Sequence, residues 1–238
     1  MPTKHSPQQT LLNINLRDGF RFESFYADEK SKNREVVSML SAFVTSSESQ
    51  QNMLWGDAQT GKTHLLQACC AKAAETHNAI SYIPLKAVKD YGIDVLNGLS
   101  QSYLIVIDDV DEVIGDKSWE TALFNLINLS RENKQHLLIS SRQNPRKLAC
   151  VLPDLASRLI WGGSYQLHAL NDDDTFRMLQ ARADHRGIVL HNDVISYIYR
   201  RYPRDIKSLL EILDKLDEES LRQQKPVITV PFVKQVLS

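Results

Sequence analysis

A glycine-rich stretch, GDAQTGKT at residues 56–63, constrains this chain more than any other part of its sequence. Apolar residues precede it at 53–55, and apolar residues at helical spacing follow it from 63 to 75. A strand, a glycine loop and a helix in this order form a phosphate-binding loop, because backbone N–H groups and the positive end of the helix point at the anion. A chance glycine-rich turn would not need the flanking strand and helix. The predicted phosphate contacts are Gly56, Asp57, Ala58, Gln59, Thr60, Gly61, Lys62, Thr63 and His64.

Two adjacent aspartates supply the second half of the predicted site. Residues 103–107 are continuously apolar, as in a parallel strand that is buried on both faces, and Asp108 and Asp109 follow. We predict that Asp108 and the Thr63 hydroxyl hold Mg²⁺ while Lys62 reaches the terminal phosphates. Capping of a turn is the alternative role for the pair. Many P-loop ATPases place a glutamate at the position of Asp109, and the shorter aspartate predicts slow intrinsic hydrolysis, so whether the chain acts as an enzyme stays open.

Strand and helix patterns alternate through the first two thirds of the chain. Further strands are predicted at 79–84, 136–141 and 165–167, and further helices at 118–133 and 153–160. Repeated strand–helix units imply a parallel sheet. From residue 171 the pattern becomes helical, with helices at 171–187, from 192 (capped by Asn192) to about 203, at about 204–223 and from Pro231, and a short strand at 227–230. We predict a flexible tail over 1–18, an α/β nucleotide-binding domain over 19–168 and a mostly helical lid over 169–238.

Composition and charge exclude several other classes of protein. The 238 residues include 28 Lys and Arg against 29 Asp and Glu, which does not indicate a globally basic surface for nucleic acid. No apolar run approaches the roughly 20 residues of a membrane span, and the polar opening lacks the apolar core of a signal peptide. We therefore expect a cytoplasmic protein. Cys69, Cys70 and Cys150 lack the spacing of a metal site and are predicted as small core residues.

Three arginines are candidates for phosphate contacts. Arg142 follows the fourth predicted strand, Arg158 lies in LPDLASRLIWG, and Arg204 begins the last long helix. Each has the alternative of a solvated surface charge, and Asp154 is placed for a helical salt bridge to Arg158. An arginine that reaches a terminal phosphate, often from a neighbouring subunit, accelerates phosphoryl transfer by roughly 10³ to 10⁵. The spacing alone does not choose between these roles.

Several of these segments together resemble AAA+ ATPases, and in particular the bacterial replication initiator DnaA. GDAQTGKTHLLQA, LIVIDDVDEV, LLISSRQNP, LPDLASRL and YPRDIKSLLEIL are similar to the Walker A, Walker B, sensor 1, arginine-finger and sensor 2 segments. The resemblance implies that Arg158 is a finger offered in trans and that Arg204 contacts this chain's own nucleotide. Arg142 stands where DnaA has an aspartate after its sensor 1 serine.

The segment FRFESFYADEKSKN is similar to the part of DnaA that helps to wall the adenine pocket. The resemblance places Phe25 and Tyr26 near the base, although Phe25-Tyr26-Ala27 replaces a Phe-Val-Gly-like pattern. Phe22, Phe25 and Tyr26 have the alternative of core packing. We expect ADP or ATP with Mg²⁺, another nucleoside diphosphate being possible.

The outline, which reaches the lid without a helix-turn-helix domain, resembles the Hda family of DnaA-related regulators. That resemblance implies negative regulation of replication initiation: a protein bound to the sliding clamp, the β subunit of DNA polymerase III, promotes hydrolysis of DnaA-bound ATP. DNA would be reached through the clamp, and we expect a homo-oligomer. The family also implies a clamp-binding peptide, for which Gln9, Leu12 and Ile14 have the expected order. A first strand or a disordered leader is the alternative for this segment.

Two other functions remain open from the sequence. One is an autonomous AAA+ ATPase of the helicase-loader or DNA-remodelling type, which the near-neutral charge disfavours. The other is a small-molecule kinase, which needs an acceptor pocket and a base beside the γ-phosphate. Salt-dependent DNA binding by the protein alone would favour the first, and ATP consumption stimulated by a metabolite, without DnaA, would favour the second.

Overall fold

The chain folds into two compact units that divide after His168. The computed structural model describes residues 20–29, 31–77 and 79–237. The predicted clamp peptide with Gln9, Leu12 and Ile14 lies outside the described residues.

The first unit is built on a five-stranded parallel sheet with the order β2-β3-β4-β1-β5. Its strands are β1 (Gln51–Trp55), β2 (Ile80–Pro84), β3 (Leu104–Asp108), β4 (His136–Ser141) and β5 (Gly163–Gln166). Its α-helices are α1 (Lys32–Thr45), α2 (Lys62–Ala74), α3 (Leu85–Val88), α4 (Lys117–Glu132) and α5 (Pro153–Leu159). Short 3₁₀ turns occur at Phe22–Ser24, Lys89–Tyr91, Ile93–Leu96, Leu99–Gln101, Val110–Glu112 and Pro145–Lys147.

The sheet separates two apolar clusters. One contains residues of α1 and α2, among them Leu40 and Leu65, and the other contains residues of α4 and α5, among them Leu123 and Leu155. Strands β3 and β4 are buried along their whole length, as expected for central strands of a parallel sheet. Cys69 and Cys70 are buried in the first cluster, and Cys150 packs half-buried against the second.

The second unit is mostly helical. It contains α6 (Asp172–His185), α7 (Asn192–Arg201), α8 (Ile206–Gln223) and α9 (Val230–Leu237), with a parallel pair of two-residue strands, β6 (Val189–Leu190) and β7 (Val227–Ile228). The prediction of an α/β parallel-sheet domain followed by a helical lid is confirmed. Within the ranges that the structure describes, no helix has both the length and the apolar character needed to cross a membrane.

Several predicted boundaries were wrong by one or two residues. Arg204 lies before α8 because the Asp205 carboxylate caps that helix, accepting from the backbone N–H of Ser208 at 3.0 Å. His191 holds the cap position of α7, so that Asn192 is its first helical residue. Helix α1 had no prediction at all, although Val36, Leu40 and Phe43 bury one helical face.

Candidate nucleotide site and arginine surface

The glycine loop joins β1 to α2 with a backbone that requires both glycines. Gly61 has φ +93°, and a Cβ there would lie 2.6 Å from the Cε2 atom of Phe25. A Cβ on Gly56 would lie 2.3 Å from the backbone oxygen of Leu167, and a backbone atom cannot rotate away as a flexible side chain could. The N–H of Gly56 donates to the backbone oxygen of Ser141 at 3.2 Å, which ties the loop to the end of β4. The loop therefore leads directly into the start of α2, the end of a helix that attracts phosphate.

Lys62 is folded into this loop. Its side chain is buried, and Nζ donates to the backbone oxygens of Gly56 at 2.7 Å and Asp57 at 2.9 Å. Burial lowers the pKa of Lys62, an effect opposed by the negative charges of Asp109 and Asp108. The ammonium group thus sits where a phosphate held by the loop would find a cation.

Asp108 ends β3 beside the first turn of α2. Its Oδ2 atom accepts from the Thr63 hydroxyl at 2.8 Å and from the Tyr82 hydroxyl at 2.7 Å, and its Oδ1 atom accepts from the Ser140 hydroxyl. A carboxylate and a hydroxyl oxygen that already touch are the hard oxygen donors that Mg²⁺ prefers. The residues present therefore fit a magnesium ion held by Thr63 and Asp108.

Asp109 adopts a strained backbone conformation next to this site. Its φ of 58° and ψ of 54° are left-handed, a region in which aspartate and asparagine are the most tolerated residues besides glycine. Its N–H donates to the Ser140 hydroxyl at 2.8 Å. Burial, followed by the charges of Asp108 and Asp111, raises the pKa of Asp109. Ser140 on β4 therefore bonds to both Asp108 and Asp109.

Arg142 is held by acidic residues that follow β3. Its Nε atom donates to Asp111 Oδ2 at 2.7 Å, and its backbone N–H donates to Asp111 Oδ1 at 2.9 Å. Its guanidinium also pairs with Glu112. Glu112 in turn accepts from Lys89 Nζ at 2.9 Å. These ion pairs account for Arg142 without a phosphate contact, and the segment after β4 is fixed to the segment after β3.

The aromatic residues upstream of α1 reach the glycine loop. The ring of Phe25 lies against Gly61, and the His64 ring meets Phe20 and Phe25 edge-on at centroid distances of 4.9 and 5.3 Å. Phe22 packs against the cluster under α2, and Tyr26 is half-buried. Phe25 and His64 thus line the loop on one side, while Phe22 contributes to core packing.

Arg158 lies on a different surface, formed by α4, α5 and the start of β1. Its guanidinium carbon is 4.1 Å from the centroid of the Trp161 ring and 5.6 Å from that of Phe124, and Arg131 also lies over Trp161, at 4.2 Å. The Trp161 ring therefore contacts two cations. In the described part of the chain the helical salt bridge from Asp154 does not form.

The sheet places Arg158 far from this chain's own glycine loop. The backbone oxygen of Arg158 accepts from the side-chain amide of Gln51 at 2.7 Å, and Gln51 is the first residue of β1. The glycine loop follows Trp55, the last residue of that strand. At about 3.3 Å per residue the strand spans about 13 Å, so Arg158 and the glycine loop lie at opposite ends of β1.

Arg204 belongs to the second unit. Its Nε atom donates to the backbone oxygen of Tyr199 at 3.2 Å, and its guanidinium lies 4.9 Å from the Tyr199 ring centroid. The Tyr199 hydroxyl donates to Asp172 at 2.5 Å. Arg204 is therefore fixed against α7, just before α8 begins.

Sequence reasoning missed three residues that organise these sites. Tyr82 and Ser140 bond to Asp108 from β2 and β4, and Trp161 carries the Arg158 guanidinium. Their contacts depend on strand register and loop packing, for which the sequence holds no local signal.

Comparison with family models gives two matches, one in each unit of the chain. The bacterial DnaA ATPase domain matches residues 16–166, and the lid domain of Hda matches residues 172–237.

Solved structures with the same fold include two DnaA proteins and a branch migration motor. Domain III of the replication initiation protein DnaA from Thermotoga maritima is 19% identical with a TM-score of 0.75, over 92% of this chain and 96% of that one. AMPPCP-bound DnaA from Aquifex aeolicus is 19% identical with a TM-score of 0.68, over 88% and 71%. The Thermotoga maritima RuvB Holliday junction branch migration motor is 16% identical with a TM-score of 0.64, over 93% and 72%. At these identities the likeness shows a shared fold.

Proposed function

The chain belongs to the bacterial DnaA ATPase domain family and carries a lid of the Hda type, and from this we propose that it is a negative regulator of replication initiation that activates the ATPase of DnaA. In this proposal Arg158 enters the nucleotide site of a neighbouring DnaA subunit. Its positive charge stabilises the charge that develops on the transferring phosphoryl group, and DnaA is left with ADP.

The placement of Arg158 is the observation that supports this proposal. About 13 Å of β1 separates the strand end beside Arg158 from the strand end that leads into the chain's own glycine loop. An arginine at that edge is suited to a nucleotide carried by another subunit. Trp161 and Phe124 present the guanidinium on that edge rather than leaving it free to sample many conformers.

The chain's own nucleotide has a supporting role in this account. Lys62 and the loop N–H groups bind the phosphates of ADP or ATP, and Thr63 and Asp108 hold Mg²⁺, which would offset the phosphate charge. Arg204 is assigned to the same phosphates by resemblance. Asp109 has a raised pKa and a backbone fixed by Ser140, which favours slow turnover and long residence of the bound nucleotide. Nucleotide binding thus orders the protein rather than driving a cycle of its own.

The clamp is the second partner in the proposal. The segment with Gln9, Leu12 and Ile14 would extend into an apolar groove of the sliding clamp, with the two aliphatic side chains as anchors. DNA would be reached through the clamp, which suits the balanced charge of the chain. Capture by immobilised clamp tests this step: triple alanine substitution of Gln9, Leu12 and Ile14 should abolish capture, and undiminished capture would refute the assignment.

Reconstitution tests the function as a whole. Purified DnaA loaded with ATP, clamp loaded on DNA and this protein with ADP are combined, and phosphate release is followed over time. We expect rapid release only when all components are present. Rapid ATP turnover by this protein alone, at about 1 per second or more, would favour the autonomous AAA+ ATPase instead. Self-association through the Arg158 surface would compete with DnaA and would appear as inhibition at high protein concentration.

A further inference from the structure

The hydroxyl of Tyr82 occupies an acceptor position on the Walker B aspartate. Tyr82 lies on β2, paired in register with Val106 of β3, and its hydroxyl donates to Asp108 Oδ2 at 2.7 Å. The Thr63 hydroxyl donates to the same oxygen at 2.8 Å, and Ser140 donates to the other. Asp108 is buried, with 3% of its surface exposed, so water contributes little to its hydrogen bonding.

The number of lone pairs on Asp108 limits what else it can accept. A carboxylate oxygen offers about two acceptor sites, and on Oδ2 both are taken by Thr63 and Tyr82. Oδ2 is also the oxygen that faces Thr63, and hence the side on which Mg²⁺ would be held.

We propose that the Tyr82 hydroxyl limits how strongly Mg²⁺ is coupled to nucleotide binding in this protein. It fills the Oδ2 site that a water on the ion would otherwise use, and it withdraws charge from the carboxylate that attracts the ion. Nucleotide is then held mainly by the loop and Lys62, with a small contribution from the metal. Tyr82 acts as a positioning residue on Asp108. The inference rests on nucleotide binding at the glycine loop and is independent of the role of Arg158 toward DnaA.

A double comparison on the isolated protein tests this inference. The affinity for a fluorescent ADP analogue is measured with Mg²⁺ and with EDTA, for the parent protein, Tyr82→Phe and Tyr103→Phe. Tyr103 is the matched control, because its hydroxyl donates to the backbone oxygens of Val44 and Ser46, at 3.0 and 3.3 Å, and not to Asp108. The ratio of the two affinities cancels any general effect of a substitution on the fold.

We expect the ratio of the affinity with Mg²⁺ to the affinity with EDTA to rise about three- to tenfold in Tyr82→Phe, which corresponds to one hydrogen bond. The same ratio should stay unchanged in Tyr103→Phe. An unchanged or lower ratio in Tyr82→Phe, or an equal rise in both variants, would overturn the inference. If Tyr82→Phe loses the circular dichroism of the parent, the ratio of the two affinities of the parent protein decides. A ratio close to one supports the proposal, and an ADP affinity that depends strongly on Mg²⁺ contradicts it. Failure to stimulate DnaA would leave these outcomes unaffected.

Discussion

The side-chain amide of Gln51 donates to the backbone oxygen of Arg158 at 2.7 Å, which fixes the candidate arginine finger to the first residue of the strand whose last residue leads into the glycine loop. One strand thus connects the two candidate sites. In the proposed function the loop end binds this chain's nucleotide, and Arg158 beside the Gln51 end serves a neighbouring subunit. A regulator of another subunit's ATPase needs this separation, because an arginine used on its own nucleotide could not also serve a neighbour.

Replacing Trp161 tests whether the finger must be held. Trp161→Ala should lower the maximal rate of DnaA-bound ATP hydrolysis about 3- to 10-fold, because the cation–π contact that orients Arg158 is lost. The concentration at half-maximal stimulation should change little. Trp161→Phe should restore part of the rate, and Leu221→Ala, at an exposed apolar residue of α8, serves as the control. A full rate for Trp161→Ala would show that the ring is dispensable.

Removing the loop lysine tests the nucleotide site. ADP at about 100 times its Kd stabilises a folded protein by about 2.7 kcal/mol. In Lys62→Ala most of that gain should vanish, since the buried ammonium group is the cation that faces the loop. Thermal unfolding with and without ADP measures the effect. The control is Lys72→Ala, which removes an exposed lysine of α2 that pairs with Glu75. This variant should keep the full stabilisation by ADP. Equal gains in both variants would place the nucleotide elsewhere.

Asp109 gives a prediction for the dependence of stability on pH. Its pKa is raised in the folded state, so folding disfavours the ionised form and the charge destabilises the protein at neutral pH. Asp109→Asn removes the charge and keeps a residue that tolerates the left-handed backbone. The unfolding midpoint of Asp109→Asn at pH 7.5 should lie above that of the parent.

The gain should shrink as the pH falls through the raised pKa and disappear below about pH 3, under the unfolded-state pKa of about 3.9, where the carboxyl is protonated in both states. Asp90→Asn, at an exposed aspartate, provides the control and should show no such trend. A midpoint for Asp109→Asn that equals or falls below the parent value at pH 7.5 would contradict the assignment.

Glu120 stabilises the loop that leads into α5, the helix that carries Arg158. It is fully buried, and its carboxylate accepts from the backbone N–H groups of Gly115, Val151 and Leu152 at 2.7, 3.0 and 2.6 Å. Glu120→Gln should lower the free energy of unfolding by about 1–3 kcal/mol, because an amide NH₂ faces a donor and leaves it unsatisfied. Urea denaturation measures the loss, with Glu132→Gln at the exposed end of α4 as the control. Equal stability of the two variants would remove Glu120 from this role.

The fold class followed from the sequence because its signals are local. The glycine loop of residues 56–63 between a strand and a helix, the buried run that ends at Asp108, and the change to helical spacing after 171 each carry their own physical signature, and the parallel sheet with a helical lid is confirmed. The strand order was not predictable, since it depends on which crossovers pack best. Boundaries such as the start of α8 at Ile206 depended on which of several polar residues forms the cap.

In the candidate site, too, some residues have a local signal in the sequence and others depend on packing. Lys62, Thr63 and Asp108 could be named from motif spacing, and the structure brings the last two into contact. The contacts of Tyr82 and Trp161 arise from strand register and from the packing of α4 beside α5, which no single segment encodes. The roles assigned to Arg158, Arg204 and the tail stay predictions.

The most direct measurement of the central claim follows one labelled phosphate. DnaA carries ATP labelled at the γ-phosphate, this protein carries unlabelled ADP, and clamp loaded on DNA is present; release is compared for the parent, Arg158→Ala and Arg146→Ala, an exposed arginine that serves as the matched control. The account predicts that the parent and Arg146→Ala accelerate release, and that Arg158→Ala loses the acceleration by a factor of roughly 10³ while its capture by the clamp is unchanged. Acceleration by Arg158→Ala equal to that of the parent would contradict the account.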